Sequence, residues 1–298
     1  MEQNIKFNEL VNRVDKNLSI LEDKPEESSE STVRTLWHLA AGNALSVQRA
    51  LELDLPVLEG ESLEKLEEYI KLREKGVPLA HITNRQQFMG IELIVGKDAL
   101  VPRKETELLG YAALGLINEI AENKDAVKVI DVCTGSGNLA LAFAWHQKRT
   151  IVSAADLDEK AISLAKQNNK HLKLESRVNF FTGDLLEPFA TDEYFNSVDV
   201  LTCNPPYISS GKLESMPDEI ISFEPSMAFD GGPFGIKILG RIIKEAPKYL
   251  NDGGWLAFEV GLGQGEPLLK RLEKNKNYKN FRTVKNETGE IRVILAST

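Results

Sequence analysis

A chain of 298 residues has room for one large domain or two ordinary ones, and 42% hydrophobic with 27% charged residues is the composition of a soluble globular protein rather than a disordered one. A formal charge of −9 argues against nucleic acid as a direct substrate, because an acidic surface repels phosphates unless a basic patch offsets it, and no Lys/Arg run is long enough to be one. No segment approaches the roughly 20 uninterrupted apolar residues of a membrane span, and the opening MEQNIKFNELVNRVDK lacks the apolar core of a signal peptide, so the expectation is a cytoplasmic protein with no membrane partner.

Residues 1–85 read as helices. Residues 32–50 place apolar side chains at helical spacing, 63–75 (LEKLEEYIKLREK) is amphipathic with Glu-to-Lys pairs, and 23–31 (DKPEESSES) is a loop capping the next helix. The spacing predicts a small helical domain, and its 11 Lys+Arg against 16 Asp+Glu make it acidic. Over 86–102 the segments QQFMGIELIVG and ALVP, with Gly90 and Gly96 as punctuation, predict a β-hairpin linker.

From residue 103 a helix (ETELLGYAALGLINEIAEN) leads into alternating signals. Strands are expected at 128–133, 151–156, 177–182, 198–203, 255–260 and 292–296, and helices at 139–147, 159–170, 235–250 and 264–274. This alternation over 103–298 predicts an α/β domain, a Rossmann-like doubly wound fold with a mainly parallel sheet, whose ligand lies beyond the carboxyl ends of the strands. Cys133 and Cys203 each close an apolar run and read as core-compatible strand ends, and neither they nor His38, His81, His146 and His171 show metal-ligand spacing, so no metal is expected.

After the first of these strands comes Asp131-Val132-Cys133-Thr134-Gly135-Ser136-Gly137-Asn138, and a helix begins at once. Glycines let such a turn reach positive φ and let backbone approach a ligand, while the open N–H groups of the helix start favour a polar or anionic group. Asp156 ends the second strand, 19 residues after Gly137, where a carboxylate can accept from both ribose hydroxyls. Asp184 and Leu185 follow the third strand, in position to meet the edge and face of a base. The constellation describes a nucleoside cofactor; Gly135-x-Gly137-x-x-Ala140 with a later acid also fits a dinucleotide.

A dehydrogenase would keep a hydride-transfer acid or base near the fourth strand, and this chain has Asn204-Pro205-Pro206-Tyr207 there. Two prolines remove two backbone donors and fix φ twice, so the loop is rigid and accepts hydrogen bonds. If the Asn204 side-chain oxygen and the Pro205 carbonyl each accept an N–H from a planar amide or amine, the remaining lone-pair density is aimed at a sulfonium methyl, and Tyr207 can stack on the planar group.

With VIDVCTGSGNLALA, AADLDEKAISLAKQN, GDLL and NPPYI in order, the chain resembles class I S-adenosylmethionine methyltransferases. It is most similar to the HemK-type protein-(glutamine-N(5)) methyltransferases that modify the Gly-Gly-Gln motif of peptide chain release factors. The segments PLAHITNRQQFMGIELIVGKDALVPRKETELL, FEPSMAFDGGPFGIKIL and GGWLAFEVGLGQGE sharpen the match, which covers about residues 78–298. The resemblance implies S-adenosyl-L-methionine as cofactor, with S-adenosyl-L-homocysteine as product. It further implies that Cys133, Thr134, Gly135, Ser136 and Gly137 surround its methionine part, that Asp156 holds the ribose and that Leu185 touches the adenine, with Asp184 beside it and Asn204 as neighbour of the methyl donor. Asn204, Pro205, Pro206 and Tyr207 would hold a glutamine of the release factor; the separateness and acidic charge of the N-terminal helices, where the resemblance is weak, are the ground for expecting them to dock that protein. Lys104 stands where the family usually has Pro, and Leu185 where some members have an aromatic. Arg103 and Glu105 either line the cleft or pair with each other. A ribosomal-protein glutamine methyltransferase shares the CTGSG turn and NPPY, and a nucleic-acid adenine amino-methyltransferase uses the same Asn-Pro-Pro-Tyr logic on a flipped base.

Overall fold

The computed structural model describes residues 2–18, 24–208, 211, 223–225, 229 and 235–298. Much of the expected FEPSMAFDGGPFG segment lies outside the described residues. Contacts divide the chain into two compact units, Met1–Lys97 with Val101–Lys104 and Pro217–Glu224, and Asp98–Leu100 with Glu105–Met216 and Pro225–Thr298. Among the described residues no helix is long and apolar enough to cross a membrane.

The first unit is built from α1 (Glu2–Asn17), α2 (Ser29–Ala40), α3 (Val47–Leu51), α4 (Glu61–Glu74), α5 (Leu79–Thr83) and a hairpin of β1 (Arg85–Phe88) and β2 (Ile91–Ile94). Phe7, Leu10 and Val14 of α1 share one core with Val33, Leu36 and Trp37 of α2 and Leu66 and Ile70 of α4, each set at helical spacing. Ser28 starts α2 with a reciprocal capping box to Ser31. The apolar periodicity over 32–50 does not form one helix. Gly42 at φ +88, with Gly42 N–H donating to the Leu39 carbonyl and Asn43 N–H to that of His38, closes α2 in a Schellman motif, and α3 begins five residues later. The hairpin turns on Met89 and Gly90, both at positive φ, the two-residue loop that matches strand twist. Arg103 of this unit pairs with Glu224 at 2.6 Å, both side chains buried.

The second unit begins with α6 (Glu107–Ala121) and continues β3 (Val127–Val132), α7 (Asn138–His146), β4 (Thr150–Asp156), α8 (Glu159–His171), β5 (Val178–Thr182) and β6 (Val198–Cys203). It closes with α9 (Lys237–Glu245), β7 (Leu250–Glu259), α10 (Gly265–Glu273), β8 (Phe281–Lys285) and β9 (Ile291–Ser297). One seven-stranded sheet runs β5-β4-β3-β6-β7-β9-β8, parallel from β5 to β7, with β9 antiparallel to both neighbours. The Rossmann-like, doubly wound, mainly parallel sheet is thus present, with an antiparallel strand inserted near one edge. The central strands are mostly buried, β6 at all six positions, which is why they appear in the sequence as apolar runs. Helices α6, α7 and α8 pack side by side on one face. Leu239 and Ile242 of α9 and Leu268 and Leu272 of α10 share the other core with Phe189 and Phe258.

The strand order reverses between β3 and β6. Their register pairs Val132 with Cys203, so the turns that follow leave the sheet side by side at the switch point, where such folds bind ligands. Phe258 of β7 is fully buried in this core. Phe258→Ala should therefore lower unfolding free energy by about 3–5 kcal/mol, read as a fall in the urea midpoint at unchanged slope.

Candidate active site

The glycine turn is tied to the sheet from below. Asp131, fully buried on β3, accepts from the hydroxyls of Thr134 and Thr202 at 2.6 Å each, clamping the turn to β6. Thr134 N–H reaches the Ala155 carbonyl, and Gly137 N–H that of Thr134. Cys133, Gly135 and Gly137 all stand at positive φ. A side chain at Gly137 would press within 2.9 Å of the Phe180 ring, so its absence is a packing requirement. A Cβ at Gly135 would meet nothing within 4 Å, and the space over this backbone is open. That difference separates a glycine needed by the fold from one that leaves room for a ligand.

Asp156 ends β4 beside this opening, accepting from Gly135 N–H at 2.8 Å and Asp158 N–H at 3.0 Å. Burial pushes its carboxyl above the ordinary 3.8, while those two backbone donors oppose the shift. Leu157 follows with 61% of its surface exposed, an apolar wall beside the carboxylate. An open glycine cradle, a carboxylate acceptor and an apolar wall together fit a nucleoside with a polar tail. Ser136 is buried, and among the described residues its Oγ has no hydrogen-bond partner. Asp184 is engaged by Arg241 of α9 at 2.9 and 3.0 Å. Leu185, at φ +51, turns into the core with Leu186 and Phe189.

The Asn204–Tyr207 turn leaves the end of β6. Asn204 gives its Nδ2 to the hydroxyl of buried Thr106 at 3.1 Å. Among the described residues its Oδ1 takes no hydrogen bond, so the amide presents an acceptor. The Tyr207 carbonyl is held by Gln264 Nε2 at 3.0 Å, and Gly235 packs so closely that a Cβ there would lie 2.0 Å from that oxygen. Cys203 is buried at the end of β6, and burial with the neighbouring Cys133 thiol pushes its pKa well above the usual thiol value.

Residues 109–289 match the family model of the methyltransferase small domain. The chain is 36% identical to the release factor glutamine methyltransferase of Clostridium acetobutylicum over 80% of this chain and 81% of that one. It is 31% identical to the release factor glutamine methyltransferase of Bacillus subtilis, covering 82% and 83%. The chain belongs to the release factor glutamine methyltransferase family. Among solved structures, the catalytic domain of human METTL16 in complex with an RNA hairpin aligns with a TM-score of 0.54 at 15% identity over 82% of this chain and 84% of that one. The N-terminal domain of human METTL16 in complex with SAH gives 0.51 at 17% over 80% and 82%. These two share the fold.

In this family member the turn also rests on charges that motif reading passed over. The Tyr207 hydroxyl meets Glu259 at 2.9 Å, Glu105 at 3.1 Å and Arg292 at 3.4 Å, and Arg292 pairs with Glu105 at 3.0 Å. Glu259 closes β7, and Arg292 is the second residue of β9. The available signal was a charged residue inside each of two apolar runs, WLAFEV and IRVILA, because charges so placed are almost never buried unpaired. Arg103 and Glu105, expected to line the cleft or pair together, bond with Glu224 and with Arg292 and Tyr207 respectively.

Burial pushes the Asp131 carboxyl from its ordinary 3.8 up to about 6, against the hydroxyls of Thr134 and Thr202. Between those values the folded chain holds a proton that the unfolded chain has released. The stability this contributes is fully present below pH 3.8 and is lost as pH rises through about 6, on the order of 3 kcal/mol. Urea unfolding of the wild type and Asp131→Asn across pH 4–7 should differ by that pH-dependent part, and parallel curves would refute the assignment.

Proposed function

We infer that this chain transfers a methyl group from S-adenosyl-L-methionine to the side-chain amide nitrogen of a release-factor glutamine, the residue of the Gly-Gly-Gln motif. The observation that carries the reading is the commitment of the Asn204 amino group to Thr106. It leaves Oδ1 as the acceptor atom of that amide on a proline-stiffened turn, next to the open glycine cradle at the switch point.

The bound cofactor supplies an electrophilic methyl on a sulfonium. The chain's own residues supply geometry. Cys133 to Gly137 enclose the amino-acid part of the cofactor, with Gly135 leaving the room. Asp156 takes the ribose hydroxyls in exchange for part of its backbone bonds, and Leu157 flanks the base together with the Asp184–Leu185 turn. The Asn204 Oδ1 and the Pro205 carbonyl accept the two amide N–H groups, and Pro206 keeps the turn rigid. Delocalisation makes an amide nitrogen a poor nucleophile, so holding its π face toward the methyl is the main contribution, and Tyr207 covers the planar group. The nitrogen turns acidic on methylation and releases a proton without a strong base.

A single glutamine offers little surface for recognition, and the acidic first unit exposes Leu51 at 51%, Leu53 at 41% and Val57 at 71%. We assign this surface to docking of the release factor, a basic patch of which would meet the acidic helices.

Incubation with labelled S-adenosyl-L-methionine and purified release factor should label the intact factor and not one whose Gly-Gly-Gln glutamine is replaced. Label on a ribosomal protein or on DNA instead would overturn the substrate. Asn204→Ala should lower kcat by at least about a hundredfold with cofactor affinity retained, whereas Asp156→Ala should weaken cofactor binding about tenfold or more by calorimetry. Val57→Asp together with Leu51→Asp should raise KM for the release factor several-fold and leave cofactor binding unchanged; an unaltered KM would remove the docking surface.

A further inference from the structure

We propose that Glu259 is a positioning residue of the acceptor turn, and that it acts in its protonated form, as a hydrogen-bond donor to the Tyr207 hydroxyl. The inference rests on the reading of residues 204–207 as the site that holds the glutamine.

Counting protons around one oxygen carries it. The Tyr207 hydroxyl lies 2.9 Å from Glu259 Oε1 and 3.1 Å from Glu105 Oε1. A phenol has one proton to give, and an ionised carboxylate can only accept. With both carboxylates charged, one of these contacts would set two oxygens at hydrogen-bond distance with no hydrogen between them. One added proton removes the conflict: Tyr207 donates to one carboxylate and receives from the other carboxyl.

The surroundings decide which acid keeps the proton. Glu105, with 40% of its side chain exposed, is the ion-pair partner of Arg292 at 3.0 Å. The Glu259 side chain is 2% exposed, and Arg292 is farther, at 3.5 Å. Arg292 and Glu105 then cancel, and the buried cluster is neutral, which avoids the cost of an uncompensated interior charge. The groups facing Glu259 are Glu105 and Thr106 from the segment entering α6, Tyr207 from the turn after β6, and Arg292 from β9. Burial, reinforced by Glu105, pushes Glu259 from its ordinary 4.5 up to about 7, with Thr106, Tyr207 and Arg292 opposing. Tyr207 itself is pushed well above the ordinary phenol value and remains a donor.

The sign follows. Below about pH 7 Glu259 carries its proton and anchors the ring. Above it, a second negative charge appears beside Glu105, the donor is lost, and the turn loosens at the residue that covers the acceptor. The protonated fraction falls about tenfold between about pH 6 and 8, and KM for the release factor should rise by a similar factor while the cofactor Kd stays constant. Glu259→Gln keeps an uncharged donor in place and should hold KM at the acid-side value across this range. Glu259→Leu should show the raised KM at every pH. A Gln variant with the wild-type pH profile, or one as impaired as Leu, would overturn the proposal.

Infrared difference spectroscopy separates this from the functional reading. A protonated-carboxyl band that titrates near neutral pH in the wild type and is missing from Glu259→Gln supports the cluster even if release factor is not methylated. Loss of that band with methylation intact would reject the proposal alone.

Discussion

The register between β3 and β6 is the constraint on which the site depends. Two parallel strands that end level, Val132 against Cys203, deliver the glycine turn and the Asn-Pro-Pro-Tyr turn to the same edge of the sheet from opposite directions of winding. A one-residue slip would flip every side chain of β6 to the other face and carry Asn204 away from Thr106. Two hydroxyls guard against it: Thr202, opposite Asp131, donates to the same carboxylate that holds Thr134. A buried acid between two strands therefore serves as a register pin, and its raised pKa reflects the desolvation that comes with that position.

The Asn-Pro-Pro-Tyr turn extends this logic outward. Prolines fix its φ angles but supply no donors, so its orientation has to come from partners outside the turn. Thr106 orients the Asn204 amide, Gln264 holds the Tyr207 carbonyl, and the Glu105, Glu259 and Arg292 cluster holds its hydroxyl. The backbone is stiff by composition and aimed by tertiary contact. Gly235 and Gly261 complete the aim, because a Cβ at Gly235 would collide with the Tyr207 carbonyl and one at Gly261 would press tightly on Gln264 and the Tyr207 ring.

The parts of the fold legible in the sequence are those where burial leaves a mark. Strands β3, β4 and β6 are apolar because they are largely buried inside the sheet, β5 at one edge still buries two residues, and the ends of all four fall within a residue of expectation. Strand β8, FRTVK, escaped because it lies at the sheet edge with no fully buried residue, and its polar composition resembles a loop. The break between α2 and α3 was readable at Gly42, whose positive φ an apolar-spacing argument does not weigh. In the site, the glycines, Asp156 and Asn204 stood out because they occupy strand ends. Glu259 also ends a strand and Arg292 lies within one, yet neither stood out, because their role arises from pairing across strands far apart in sequence.

Asp184 shows why a strand-end acid is not by itself a ligand group. Its carboxylate is bound on both oxygens by Arg241, and Leu185 beside it faces the core, whereas Asp156 spends its oxygens on backbone N–H groups of the very turns that would enclose a ligand. A guanidinium competes with a neutral ligand far more strongly than a backbone amide does. Of the two acids, Asp156 is therefore the one whose hydrogen bonds a ribose could share at the lower cost.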